Sequence, residues 1–182
     1  DTVKQTESEK VTKAETDTKK NFNRTQVQGN PTVCIDAAHG GSSMGGASGN
    51  YTEKAITLSV ALKVKEYLEE SGVNVVMTRT SDKDVTNEQR VKTCNDSKAS
   101  AMVSIHMNSA DKTVTAKGAE CWVHTKKPAD SQKLAEDILK QLKSEAGFND
   151  RGVKYGTIAD NKENYYINYI AHVQAWYFSL VL

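Results

Sequence analysis

Apolar residues gather into short blocks from Val33 onward and are almost absent before it. Residues 1 to 30 alternate Lys, Glu, Asp, Thr and Gln without a continuous apolar face. They bury too little surface to offset ordering entropy and read as a tail or linker, with an undocked helix as the rival reading. Gly29, Asn30 and Pro31 mark the start of a single domain over residues 31 to 182. Its first block, Val33-Cys34-Ile35, runs through Asp36-Ala37-Ala38 into His39-Gly40-Gly41, as a buried strand would that delivers a histidine into a glycine-rich loop. From Glu53, Ile56, Val60, Leu62, Val64, Tyr67 and Leu68 follow helical spacing until Gly72. Strands are predicted over Val73 to Thr78, Ala101 to His106, Gly118 to His124 and Ala175 to Leu182. Helices are predicted over Asn87 to Ser97 and Ser131 to Ala146, the second carrying Leu134, Ile138 and Leu142 on one face and closing at Gly147. Strands alternating with helices are the signature of parallel α/β structure, in which ligands bind at the carboxyl edge of the sheet.

Composition narrows the picture. Lys and Arg number 24 against 23 Asp and Glu, so a net charge of +1 gives no field for nucleic acid or an anionic membrane. No run approaches the roughly 18 apolar residues of a membrane span, and the first residues lack the charged-then-apolar pattern of a signal peptide. Of the three cysteines, Cys34 and Cys121 fall in strand-like runs and Cys94 in a helical one; they read as buried thiols, with a disulfide between two of them as the alternative.

His39 ends the first strand, Glu53 opens the first helix and His106 ends the third strand, so all three can converge on one edge of the sheet. Two imidazoles and a carboxylate complete three protein positions around zinc and leave the fourth for water or substrate, the pattern of a catalytic site. The plain alternative makes His39 a turn residue, Glu53 a carboxylate favoured by the helix dipole and His106 a strand-end residue. Asn108, two residues beyond His106, is a candidate for substrate hydrogen bonding or for capping a turn. His124 reads as a solvated strand-edge residue, and His172 as a partly buried histidine that can also approach the metal.

The set Ile35-Asp36-x-x-His39-Gly40-Gly41, Glu53-Lys54, Thr78-Arg79, Arg90 with Asn95, and Ser104-Ile105-His106-x-Asn108 resembles the zinc-dependent N-acetylmuramoyl-L-alanine amidases of bacterial cell walls. Gly118-x-Glu120 and Asp150-Arg151-Gly152-Val153-Lys154 continue the similarity, which covers residues 32 to about 168. The resemblance implies a twisted, mainly parallel sheet flanked by helices on both faces, and zinc ligated by His39, Glu53 and His106. It implies hydrolysis of the amide between N-acetylmuramic acid and L-alanine in peptidoglycan, with zinc polarising the carbonyl and acidifying water. It also implies an extracellular or cell-wall setting and peptidoglycan or muropeptides as partner; the chain is expected to be a monomer.

The likeness stops after Asn168. The family's last strand carries a glutamate that takes the water's proton and passes it to the leaving amine. Aligning Ala175 with the family's alanine puts Ser179 at that position, and the family's closing helix is missing. A serine hydroxyl has no basicity near neutral pH. Divergence and a shifted reading frame both account for such a tail. Glu120 and Glu163 are the nearby alternatives, but Glu120 matches a structural position and Glu163 sits in a polar loop. Two functions remain open: a zinc amidase with impaired turnover, and a non-catalytic relative that keeps zinc and peptidoglycan binding. A peptidase with two histidines four apart on one helix is disfavoured, since no such pair occurs.

Overall fold

The computed structural model of the chain describes residues 28–107, 117–124 and 126–155, and the backbone of 176–181. Strand β1 (Thr32–Ala37) lies between β4 (Asn74–Met77) and β5 (Ala101–His106), parallel to both. Beyond β5 the sheet continues through β8 (Trp176–Val181), β6 (Ala119–Val123) and β7 (Asp150–Tyr155), giving the order β4-β1-β5-β8-β6-β7. β8 is parallel to β5, whereas β6 is antiparallel to β8 and parallel to β7. The sheet is therefore mainly parallel, with two strands reversed at one side. A small antiparallel hairpin, β2 (Ala47–Ser48) and β3 (Tyr51–Thr52), turns at Gly49-Asn50 just before the first helix.

Among the described residues, three helices cover the sheet. α1 (Glu53–Glu70) and α3 (Ala129–Ala146) share one face, because Val103 of β5 packs against the clusters beneath both. Ile35, Ala37, Ala61 and Ile105 form the centre under α1; Ala119, Cys121, Val123, Ala135 and Leu139 form it under α3. α2 (Asn87–Asp96) covers the opposite face, burying Arg90, Val91 and Cys94. Its start is held by a capping box, in which Thr86 Oγ1 accepts from Gln89 N–H and the Gln89 side chain accepts from Thr86 N–H. Gly147 ends α3 in the left-handed conformation (φ 70°) that favours glycine at this position.

Some expectations need correcting. Leu62 and Tyr67 fit a helical repeat but are 39% and 52% exposed; the buried stripe of α1 runs instead through Glu53, Thr57 and Ala61. Polar Thr57 belongs there because its hydroxyl donates to Ala38 O at 2.8 Å. Cys34 and Cys94 are not thiols: they form a disulfide with Cα atoms 5.5 Å apart, leaving Cys121 as the buried free cysteine. β7 and the β2–β3 hairpin had no apolar block to announce them. Next to β1, the Asn30 and Pro31 carbonyls accept from Asn74, at 3.0 Å from its side chain and 2.9 Å from its backbone N–H.

Candidate metal centre

β1 and β5 end side by side, so the residues just beyond them share the carboxyl edge of the sheet. His39 stands two residues past β1 and His106 is the last residue of β5. α1 starts at the same edge, because Glu53 N–H donates to Gly46 O at 2.7 Å and Lys54 N–H to Met44 O at 3.1 Å. This brings together side chains 67 positions apart in sequence, with their ligand atoms all within 4.8 Å of one another. His39 Nε2 lies 3.3 Å from Glu53 Oε2, and His106 Nδ1 lies 3.1 Å from Glu53 Oε1. The two imidazoles meet edge to face, with centroids 5.5 Å apart.

The donor set suits zinc in kind and in spacing. Ligand atoms of a tetrahedral site with bonds near 2.1 Å stand about 3.4 Å apart. The two carboxylate-to-imidazole distances run to different oxygens of Glu53, and with one atom from each residue the candidate ligand atoms lie within 4.8 Å of one another, so side-chain movement on the order of 1 Å brings them to that spacing. The glutamate is 5% exposed, whereas His39 and His106 are 27% and 24% exposed, which leaves an approach from solvent on the histidine side. Gly45 shapes the wall: at φ +68° it lies so close that a Cβ there would stand 2.6 Å from Glu53 Oε2 and 2.7 Å from His39 Cδ2. Only glycine fits.

Protonation states favour ligation. Burial disfavours the Glu53 charge, yet the hydrogen bond with His106, the N–H groups of Gly46 and Met107, and the neighbouring His39 together hold its carboxyl down at about 2. Burial pulls the His39 pKa below its ordinary value; Glu53 opposes this, while His106, Arg90 and Arg79 add to it. Both groups therefore favour the form that binds a metal, anionic for the carboxylate and neutral for the imidazole. His39 Nδ1 lies 2.9 Å from Ser43 Oγ, which turns Nε2 toward the glutamate.

A second set of residues holds the loop after β1. Gly41 N–H donates to Asp82 Oδ1 at 2.7 Å, Ser42 donates through N–H and Oγ to Asp84 Oδ1, and Lys54 Nζ bridges Gly41 O and Asp82 Oδ2. Both aspartates have lowered pKa values, chiefly through Lys54 for Asp82 and Ser42 for Asp84. Beneath them Asp36, fully buried, accepts from Thr78 Oγ1, Ser104 Oγ and Arg90 Nη1 at 2.5 to 2.6 Å. Arg79 donates to the carbonyls of Ala37, Ala38 and Lys54. Asp82, Asp84 and Ser43 lie in polar loops with no periodicity, so the sequence offered no sign of them.

Of the remaining candidates, His124 stays apart from the cluster and accepts a turn hydrogen bond from Lys126 N–H at 2.9 Å. Glu120 is buried and engaged by Arg151 at 3.2 Å, Lys154 at 3.9 Å and Trp122 Nε1 at 3.0 Å, as a structural residue would be. Asn108, Glu163 and His172 lie outside the described residues. The backbone of β8 pairs Ser179 with Ser104 on one side and Trp122 on the other, two residues before the row that joins His106, Val181 and Glu120.

The sheet, its two helical layers and the His-Glu-His cluster at the carboxyl edge define an α/β protein with a candidate metal centre. The chain belongs to the N-acetylmuramoyl-L-alanine amidase family, whose sequence profile matches residues 33–177. It is 35% identical over 125 residues to the germination-specific N-acetylmuramoyl-L-alanine amidase of Bacillus subtilis (strain 168), covering 61% of this chain and 52% of that protein. It is 40% identical over 124 residues to the uncharacterised protein YqiI of the same organism, covering 68% of this chain and 59% of that one. The chain thus spans between half and three fifths of these relatives. Among solved structures, the N-acetylmuramoyl-L-alanine amidase of Clostridium difficile 630 superposes with a TM-score of 0.73 at 29% identity, covering 82% of this chain and 77% of that one. The family match ends at Tyr177, two residues before Ser179.

Proposed function

We propose that this chain is a zinc-binding cell-wall amidase whose substrate is the amide joining N-acetylmuramic acid to L-alanine in peptidoglycan, with turnover impaired by the loss of the family's catalytic glutamate. The observation that carries the reading is the convergence of His39, Glu53 and His106 in a family of amidases. These three residues would hold the zinc, which when bound supplies Lewis acidity at the amide carbonyl and acidifies water at neutral pH. The chain's own part is to fix those ligands. Glu53 is kept anionic by two backbone N–H groups, and His39 is oriented through Nδ1 by Ser43. The partly exposed imidazoles give a substrate carbonyl a way in.

Proton transfer is where this chain differs. Cleavage of an amide needs a group that delivers a proton to the departing amine, and loss of a general base typically costs about 10² to 10⁴ in rate. Ser179, aligned with the family's glutamate, offers a hydroxyl in its place. The same observation favours a second reading, a non-catalytic relative that keeps zinc and muropeptide binding. An extracellular or cell-wall setting is supported by the Cys34–Cys94 disulfide, which belongs to oxidising compartments. The chain acts as a monomer in this account.

Digestion of purified muropeptides by the zinc-loaded chain, followed by mass spectrometry, is the test. The expected result is zinc-dependent release of stem peptides at least about 10²-fold slower than by a relative with the glutamate. Release at a relative's full rate contradicts the impairment. Muropeptide binding with no release at all selects the non-catalytic reading.

A further inference from the structure

Three consecutive carbonyl groups leave the sheet where β1 ends, because His39 takes a left-handed conformation (φ 60°) that turns the chain out of register. Two buried arginines collect them. Arg79 donates to Ala37 O and Ala38 O at 2.8 and 2.9 Å, and Arg90 donates to Ala37 O and His39 O, both at 2.7 Å. The His39 carbonyl is thus held by Arg90 on α2, a helix on the face of the sheet opposite α1.

We propose that Arg90 is a positioning residue for His39, and that the Cys34–Cys94 disulfide is the tether that keeps Arg90 in place. Two side-chain-to-side-chain links join α2 to β1. Cys34 and Asp36, two apart on a strand, point to the same face; Arg90 and Cys94, four apart on a helix, do likewise. Cys34 therefore meets Cys94 while Asp36 Oδ1 meets Arg90 Nη1 at 2.6 Å. Asp36 sets the guanidinium, and the guanidinium's remaining donors reach Ala37 O, His39 O and Val85 O. A planar fork with five N–H groups can serve this set, and an ammonium cannot. Cys34, Cys94, Ala99 and Met102 pack as a small buried cluster of their own. Within that cluster the covalent link sets the distance from helix to strand, holding the Cα atoms of Cys34 and Cys94 5.5 Å apart.

The inference rests on the zinc reading, and its test is arranged to fail separately from it. Zinc affinity, measured by competition with a chromophoric chelator, is compared between the wild-type chain, Arg90→Lys, Arg90→Met, Cys34→Ala with Cys94→Ala, and Leu139→Ala. Leu139 lies in the core under α3, so its variant lowers stability without touching the cluster. The expected loss for Arg90→Met is about 10- to 100-fold, the usual effect of removing a residue that orients a ligand. Arg90→Lys, which keeps the charge beside Asp36, falls in between, and the cysteine pair variant falls in the same direction. Leu139→Ala stays within about twofold. Affinity unchanged in a folded Arg90→Lys or Arg90→Met chain overturns the role of Arg90, and unchanged affinity in the cysteine variant overturns the tether. The imidazole ¹⁵N signals of His39 in the metal-free chain give a second readout. If the wild-type chain binds no zinc the functional reading falls, while a shift of those signals on Arg90→Lys still upholds the positioning role and identical signals refute it.

Discussion

At the scale of single residues, the site depends on close approach. Gly45 is the sharpest case, since any side chain there collides with both Glu53 and His39 and must also adopt a left-handed backbone. Gly45→Ala is expected to weaken zinc binding by at least about tenfold, comparable to losing a residue that orients a ligand. Calorimetric titration would show it. Cys121 presents the opposite chemistry: burial, then Asp150 and Glu120, push its thiol up to about 12. At pH 8 only about one molecule in 10⁴ carries the thiolate, so iodoacetamide should leave the native chain unlabelled and label the unfolded one. Because the folded pKa lies above the ordinary thiol value of 9.0, this thiol supports folding fully below about pH 9. That support declines as pH rises toward 12, and urea unfolding between pH 8 and 11 should follow the decline.

At the scale of elements, α2 is short and polar, and it is held by specific links more than by apolar burial. The Cys34–Cys94 bond closes a loop over a sequence separation of 60, which by the chain-entropy relation is worth about 4 kcal/mol. Reducing it should lower the urea midpoint accordingly. Thr86→Ala removes half of the capping box and should cost about 1 kcal/mol in the same assay. The strands and helices with apolar blocks, β1, β5, α1 and α3, were legible to within two residues because burial imposes a period. β7 was not: Asp150-Arg151-Gly152-Val153-Lys154-Tyr155 carries no alternation that would single it out, and its pairing with β6 includes a register shift. The disulfide was equally hidden, since Cys34 and Cys94 meet only once α2 has crossed over the sheet.

At the scale of the whole molecule, the parallel order of β4, β1, β5 and β8 aligns their carboxyl ends and so assembles the cluster. His39, Glu53 and His106 could be named from sequence because each sits at the boundary of a recognisable element. Their supports, Asp82, Asp84 and Ser43, could not, since loops carry no period and the hydrogen bonds of Asp82 and Asp84 connect residues about 40 positions apart. The contacts of Asn30 and Pro31 with Asn74 mark where the chain joins the sheet. Removing residues 1 to 28 should accordingly leave the melting temperature and zinc content unchanged, and a fall of several degrees would mean that the segment docks.

Everything proposed about function passes through one cluster, so the most direct measurement is zinc stoichiometry. Equilibrium dialysis of the purified chain against zinc, read by elemental analysis, should find one zinc per wild-type chain and a loss of that zinc in Glu53→Ala, with both proteins folded by circular dichroism. A folded wild-type chain without zinc, or a Glu53→Ala chain that still holds one, would contradict the account.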